Sequence, residues 1–204
     1  MECVVVYKNM IKRILDFITA LLFMPFLLVI IIVVGLIIKI EDRGPIFYLA
    51  DRLGKNASTY RMYKFRTMKV NAPDIRNDDG STFNSDQDSR LLNSGKFFRK
   101  TSIDELPQLI NVLLGNMSII GPRPDLPEHI LQYTESEKEK LSVLPGVTGY
   151  NQAYFRNSIE WAERKKNDVY YAKNVHFLFD LKILLKTIQT VVFRKNVFNT
   201  NEVK

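Results

Sequence analysis

The chain has 204 residues, 46% of them hydrophobic, and a net charge of +7. That length suits one domain with an appendage, the apolar fraction allows a real core, and the positive balance favours an anionic partner such as nucleic acid, a phospholipid surface or a phosphorylated small molecule. One cysteine, Cys3, excludes an internal disulfide and fits a cytosol-facing protein, while the absence of a Walker-type loop, a dinucleotide glycine fingerprint, Cys/His metal spacing and a nucleophile-elbow serine excludes the enzymes built on those motifs.

The first predicted element is membrane-inserted. Residues 17 to 38, FITALLFMPFLLVIIIVVGLII, carry no charge over about 22 positions, the length a helix needs to cross a bilayer. The run is apolar on all sides, unlike an amphipathic core helix, and too long for a signal peptide. Pro25 removes a backbone donor and predicts a kink. Both flanks are basic, with Lys8, Lys12 and Arg13 before the segment and Lys39, Arg43, Arg52 and Lys55 after it. Positive charge marks the cytoplasmic side, so a helix that bends at Pro25 and leaves by the face it entered satisfies both flanks. An ordinary kinked span remains the alternative. Asp16, at the entrance, needs a partner, and Lys12 and Arg13 are the nearest cations.

After Glu41 the composition turns polar and charged. IFYLADR and YRMYKFRTM read as two strands joined by LGKNAST. In the second, Tyr60, Met62, Lys64 and Arg66 share one face, so the two cations are either solvated or aimed at a phosphate. Residues 71 to 89 read as a long polar surface loop without calcium-loop spacing.

In RKTSIDELPQLINVLLGN, residues 99 to 116, Leu106, Leu109, Ile110 and Leu113 recur at helical spacing and Gly115 suits the helix end. Pro107 belongs in a first turn, so the helix is predicted to begin near Ile103 or Asp104, with Asp104 and Glu105 at the positive end of its dipole. SIDE also fits a capping box, with Ser102 as cap and Glu105 reaching back, although that register puts Pro107 one position too deep. From spacing alone, capping and chemistry are equally good accounts of the two acids. Next, Pro122 and Pro124 stiffen the chain on both sides of Arg123, which suits a planar bidentate target such as phosphate or simply a loop with a solvated arginine. LPGVTGYNQ reads as a turn and SIEWAERKKNDVYYAKN as a helix. From 177 to 193, Leu181, Leu184, Leu185, Ile188 and Val192 form a stripe with Lys182, Lys186, Arg194 and Lys195 around it: an interfacial amphipathic helix, or one packed on the body.

These pieces resemble, in order and along nearly the whole chain, the bacterial sugar transferases known as monotopic phosphoglycosyl transferases. The matching stretches are KRILD before the proline-broken helix, DRLGKN, YKFRTM, the long block DSRLLNSGKFFRKTSIDELPQLINVLLGNMSIIGPRP, LPGVTGYNQ, and ERKKNDVYYAKNVHFLFDLKILLKTI. The resemblance implies a helix-rich α/β monotopic membrane protein: a re-entrant membrane helix hairpin over 1–40, then a cytosol-facing catalytic domain over 41–204, with a small antiparallel sheet and interfacial amphipathic helices. It places the chain on the cytoplasmic face of the bacterial inner membrane.

The implied reaction moves a phosphosugar from a UDP-sugar to polyprenol phosphate and releases UMP. Asp104 is the implied nucleophile, forming a covalent acyl-phosphate, and Glu105 with Mg²⁺ completes the site, the two acids holding the metal. Arg123 in its Pro122–Pro124 frame, with Lys64, Arg66 and Arg99, is expected to bind substrate. An N-acetylated aminosugar is the favoured donor, and a homodimer is left open. Two positions depart from the family pattern: Met24 stands before Pro25 at the helix break, and His176 stands where serine is common. The rival reading is a non-catalytic basic membrane-surface protein that binds anionic lipid or a partner. Nucleic acid is not an expected partner, because the basic residues are dispersed.

Overall fold

A computed structural model of the chain describes residues 6–75, 85, 87–155 and 158–193. A π-helical turn, Tyr7–Ile11, feeds directly into α1, Lys12–Asp42. At 1.5 Å per residue these 31 residues span about 46 Å. α1 continues through Pro25. The proline deletes one ladder bond, and the turns on either side keep the helix going.

One stripe of α1 is buried: Asp16, Ala20, Leu27, Val34 and Ile38. Both ends of that stripe sit on the body. Ala20 packs with Tyr60, Met62, Val112 and Met117, while Val34 and Ile38 pack with Phe65, Leu92 and Phe98. Polar links reinforce each end. Asp16 bonds directly to neither expected cation, although the charges of Lys12 and Arg13 both act on it: it accepts from the Ile119 N–H at 2.9 Å, Lys12 pairs with Asp180 at 2.6 Å, and Arg13 reaches the Val112 carbonyl at 2.7 Å. At the other end Glu41 accepts from the Asn93 N–H at 2.6 Å, and Asp42 pairs with Arg66. The remaining faces of α1, from Leu21 to Ile37, expose large apolar side chains. Among the described residues α1 is the one helix long and apolar enough to cross a membrane.

The predicted hairpin forms. β1, Phe47–Leu53, pairs antiparallel with β2, Thr59–Phe65, and sets Tyr48 opposite Lys64 and Arg52 opposite Tyr60. α2, Asn93–Thr101, follows the polar loop, most of which (76–84 and 86) lies outside the described residues. α3, Gln108–Leu114, ends at Gly115, whose φ of +88° is the left-handed cap its sequence suggests.

A second sheet was not expected. β3, Ser118–Ile120, to which the sequence assigned no element, and β4, Gly146–Thr148, which read as part of a turn, pair in parallel. Gly146 makes this crossing feasible: a Cβ there would lie 2.0 Å from the Gly121 nitrogen. The short α4, Glu135–Lys138, starts with a true capping box, Thr134 with Glu137. Three helices complete the body: α5, Tyr150–Tyr154; α6, Trp161–Lys173; and α7, Phe177–Val192. Ile183 of α7 is in the core and Leu184 packs against it, whereas Phe177, Leu178, Leu181, Leu185 and Ile188 are exposed. The expected stripe is therefore divided, with Leu184 turned inward and Phe177 and Leu178 added outside. Arg194 and Lys195 lie outside the described residues. His176 takes the cap position of α7, its ring nitrogen accepting from the Phe179 N–H, which is the role a serine would fill.

Candidate active site

The acidic pair sits at a corner. Ser102, at φ +59°, turns the chain out of α2, and a 3-10 turn, Ile103–Glu105, leads to α3. The α-helix therefore starts at Gln108, after Pro107, and not at Ile103 or Asp104. A proline is accommodated there because its missing N–H would have had no helical partner. The Ser102 side chain does not cap the turn, and Glu105 does not reach back. Instead the Glu105 carboxylate accepts from Lys64 Nζ at 2.6 Å and from Arg123 at 3.5 Å. Capping thus fails as the account of the two acids. Asp104 is only 9% exposed, and among the described residues no group hydrogen-bonds its carboxylate.

Three elements deliver the surrounding cations. Lys64 stands on β2, and its alternation partner toward the core is Met62. Arg99 comes from the last turn of α2 and donates to Thr67 Oγ1 at 3.0 Å. Arg123 rides a loop fixed on both sides: Gly146 N–H donates to the Pro122 carbonyl at 2.9 Å and Leu53 N–H to the Asp125 carbonyl at 2.9 Å. Pro122 is buried, Pro124 half-buried and Arg123 itself exposed, so the two prolines anchor the loop while the guanidinium projects. The fourth candidate, Arg66, lines the same cleft, but its guanidinium is engaged by Asp42 and by the Pro45 carbonyl at 2.6 Å, fastening the end of α1. Met24 and Pro25 lie in the middle of α1, away from its two seated ends.

A cleft of about 940 Å³ joins these groups, lined by Lys64, Arg99, Asp104, Glu105 and Arg123. Burial, and then the charge of Glu105, push Asp104 up to about 6, against the pull of Lys64, Arg99 and Arg123. Burial would also raise Glu105, but Lys64 and Arg123 overcome it and hold that carboxyl down at about 2. Two adjacent acids in one cleft are thus driven apart: Glu105 is permanently charged and engaged, and Asp104 is charged at neutral pH yet unengaged. An ionised, unpartnered carboxylate flanked by cations is equipped to attack a phosphorus.

No group of three or more His, Cys, Asp or Glu side chains forms a metal site among the described residues. Two adjacent carboxylates that leave most ligand positions to substrate phosphates and water are, however, how Mg²⁺ is commonly held.

Two features escaped the sequence reading. Arg52, counted there only as a flanking charge, lines the same cleft. Strand alternation carries the signal, since 48, 50 and 52 share a face opposite 64, 62 and 60. The far wall of the cleft contains a buried cluster in which Lys140 bridges Asp125 at 2.8 Å and Asp168 at 2.6 Å. It unites residues too distant in sequence to form a pattern.

Residues 7–194 match the family model described as bacterial sugar transferase. The chain belongs to the bacterial sugar transferase family. This sugar transferase is 37% identical over 192 residues to the uncharacterized sugar transferase EpsL of Bacillus subtilis, covering 94% of the chain and 92% of that protein. It is 35% identical over 188 residues to the UDP-N-acetylgalactosamine-undecaprenyl-phosphate N-acetylgalactosaminephosphotransferase of Aeromonas hydrophila, covering 89% of the chain and 44% of that protein. It is 35% identical over 169 residues to the undecaprenyl-phosphate galactose phosphotransferase of Salmonella typhimurium, covering 78% of the chain and 36% of that protein. This sugar transferase therefore spans less than half the length of those two enzymes and nearly all of the Bacillus protein. It is an enzyme of the sugar phosphotransferase kind.

Proposed function

We propose that this chain transfers a phosphosugar from a UDP-sugar to polyprenol phosphate, in two steps through Asp104. The carboxylate oxygen of Asp104 attacks the sugar-bearing phosphorus. The bond from that phosphorus to the bridging oxygen breaks, UMP leaves with the electron pair, and an aspartyl-phosphosugar remains. A phosphate oxygen of the polyprenol phosphate then attacks the same phosphorus, the acyl–oxygen to phosphorus bond breaks, and Asp104 is freed as a carboxylate. The product is a polyprenol diphosphate-sugar, the first membrane-bound unit of a polysaccharide or glycoconjugate.

The observation that carries this reading is the contrast within the acidic pair: Glu105 is bonded to Lys64 and Arg123, and Asp104 is buried with a free carboxylate. Glu105 holds the cations in place, and Arg123, Lys64 and Arg99 oppose the phosphate charge. Mg²⁺, held by Asp104 and Glu105, would supply further neutralisation of phosphate charge. The undecaprenyl phosphate named for the Aeromonas and Salmonella enzymes supports a lipid phosphate acceptor, and the UDP-N-acetylgalactosamine named for the Aeromonas enzyme supports a nucleotide-sugar donor with an N-acetylated aminosugar.

The reading extends to the membrane. α1 is fastened to the body at both its Asp16 end and its Asp42 end, and a helix crossing the bilayer would carry one end away. Its apolar outer faces then lie in one leaflet while both ends stay on the cytoplasmic face of the inner membrane, the same-face topology expected of a re-entrant element. The test is intact-protein mass spectrometry with a panel of UDP-sugars, Mg²⁺ and no lipid. One added phosphosugar, absent in Asp104→Asn, is expected. No addition with any donor, together with no UMP release when polyprenol phosphate is supplied, would sink the mechanism. Thiol labelling of single cysteines at positions 8 and 39 tests the helix: both should react from the cytoplasmic side.

A further inference from the structure

We propose that Arg52 is a phosphate-binding residue of the cleft, gripping with Arg123 a phosphate of the substrate held there. The inference rests on reading the cleft as a nucleotide-sugar site, and it adds a residue from a different element to it.

Arg52 is on β1, half-buried, and lines the same cleft as Asp104. Its neighbour Leu53 is tied to the loop of Arg123 by the Leu53 N–H to Asp125 carbonyl bond of 2.9 Å, so both guanidinium-bearing segments belong to one rigid wall. A guanidinium offers five N–H donors. The bond that Arg52 makes among the described residues is to the carbonyl of Asp51 at 2.9 Å, and no carboxylate lies within ion-pair distance of it there. The nearest acid on that wall, Asp125, is already engaged by Lys140 at 2.8 Å and by the Tyr133 hydroxyl. Arg123, for its part, meets Glu105 only at 3.5 Å with half its side chain exposed.

Two guanidinium groups thus face one cleft with most donors uncommitted. Burial above all, with the positive charge of Arg123, outweighs the pull of Tyr48, Tyr60 and Asp125 and works against the charged form of Arg52. A cation held out of water beside another cation is costly unless an anion is received between them. Planar, bidentate donors match phosphate oxygens, and structural arginines elsewhere in the fold spend their donors on protein acceptors: Arg66 on Asp42, Arg90 on Asp88 at 2.6 Å, and Arg13 on the Val112 carbonyl at 2.7 Å. Among the described residues Arg52 has only the Asp51 carbonyl. The phosphate is either the diphosphate of the donor or the headgroup of the lipid acceptor, and the experiment separates them.

Full-length wild-type protein, Arg52→Gln and Arg52→Lys are titrated calorimetrically with UDP in the absence of lipid, alongside thermal melts. Loss of a charge-assisted hydrogen-bonding pair predicts UDP binding about 10- to 100-fold weaker in Arg52→Gln. Arg52→Lys should fall between, since an ammonium keeps the charge without the fork. Wild-type affinity should also decline more steeply with salt than that of Arg52→Gln, a difference that a purely structural role does not produce. In steady state the KM for polyprenol phosphate, at saturating donor, stays at the wild-type value if the donor is the ligand and rises if the lipid phosphate is. Arg52→Gln that binds UDP as wild type does and keeps that KM overturns the proposal. Wild-type protein that binds no UDP overturns the functional reading instead, and pyrophosphate titrated into the same proteins still decides whether Arg52 holds phosphate.

Discussion

The cleft has two walls with buried carboxylates, and they are treated in opposite ways. On the far wall Lys140 lies between Asp125 and Asp168, with the Tyr133 hydroxyl on Asp125 and the Asn151 amide on Asp168 at 2.8 Å. On the near wall Asp104 has cations around it and no hydrogen bond from the described residues. Burial is alike; satisfaction is not. A buried charge with every lone pair used is scaffold, because moving any member exposes the rest. A buried charge left without a partner is held at a free-energy cost, and such groups collect where reactivity is needed.

The largest effect should come from neutralising the near wall. Asp104→Asn removes the proposed anionic nucleophile, so turnover, followed as UMP release, should fall on the order of a thousandfold or more. The same change relieves a buried charge, so the melting temperature should hold or rise. A variant that melted well below wild type would put Asp104 with the scaffold and break the comparison.

Next is the far wall. Lys140→Met leaves Asp125 and Asp168 buried without their cation. Removing one partner of a buried pair costs about 3–5 kcal/mol, which at this chain length lowers the melting temperature by roughly 6–20 °C. If Lys140→Met melted like wild type, the cluster would not be the support its geometry implies.

A smaller effect, in pH, sharpens the near wall. In the proposed mechanism Asp104 attacks only when ionised, and its carboxyl is raised to about 6. The rate of phosphosugar loading should be level above pH 7 and fall about tenfold per unit below 6. The stability relation has the opposite sign. A raised carboxyl favours the folded state at low pH, a benefit fully present below the ordinary aspartate value and lost as pH rises through about 6. The melting advantage of Asp104→Asn should therefore shrink on acidification. Lys64→Met tests the cause, since Lys64 pulls the Asp104 value down. Its loading profile should move toward alkaline pH; a profile that stayed in place would remove Lys64 from the electrostatics of the pair.

How much of this was legible follows from the distance over which each signal acts. The hairpin, α1, α6 and the Gly115 cap were readable because alternation, apolar runs and turn residues are local patterns. The acidic pair and the Pro-Arg-Pro frame were visible as motifs, but spacing could not separate capping from chemistry. That required Lys64, 41 positions away from Glu105, to arrive within 2.6 Å. Lys64 and Arg66 looked equivalent because they share a strand face. They differ because Asp42, at the end of α1, claims Arg66. The parallel pairing of β3 with β4 was illegible for the same reason: three residues each, brought together by glycines across a long connection, leave no local period.

The smallest effect concerns a polar group at neither wall. His176 caps α7 by accepting the Phe179 N–H at 3.3 Å, at an exposed position. Water can replace that partner, so truncation should cost only what a helix cap is ordinarily worth. His176→Ala should destabilise by about 1 kcal/mol, roughly 2–4 °C, and His176→Ser should restore the loss, because a hydroxyl accepts the same bond. Turnover should be unchanged in both. An alanine variant as damaged as Lys140→Met would mean that exposure does not set the cost of losing a partner here. The contrast between the two walls would then need another cause than the satisfaction of buried charge.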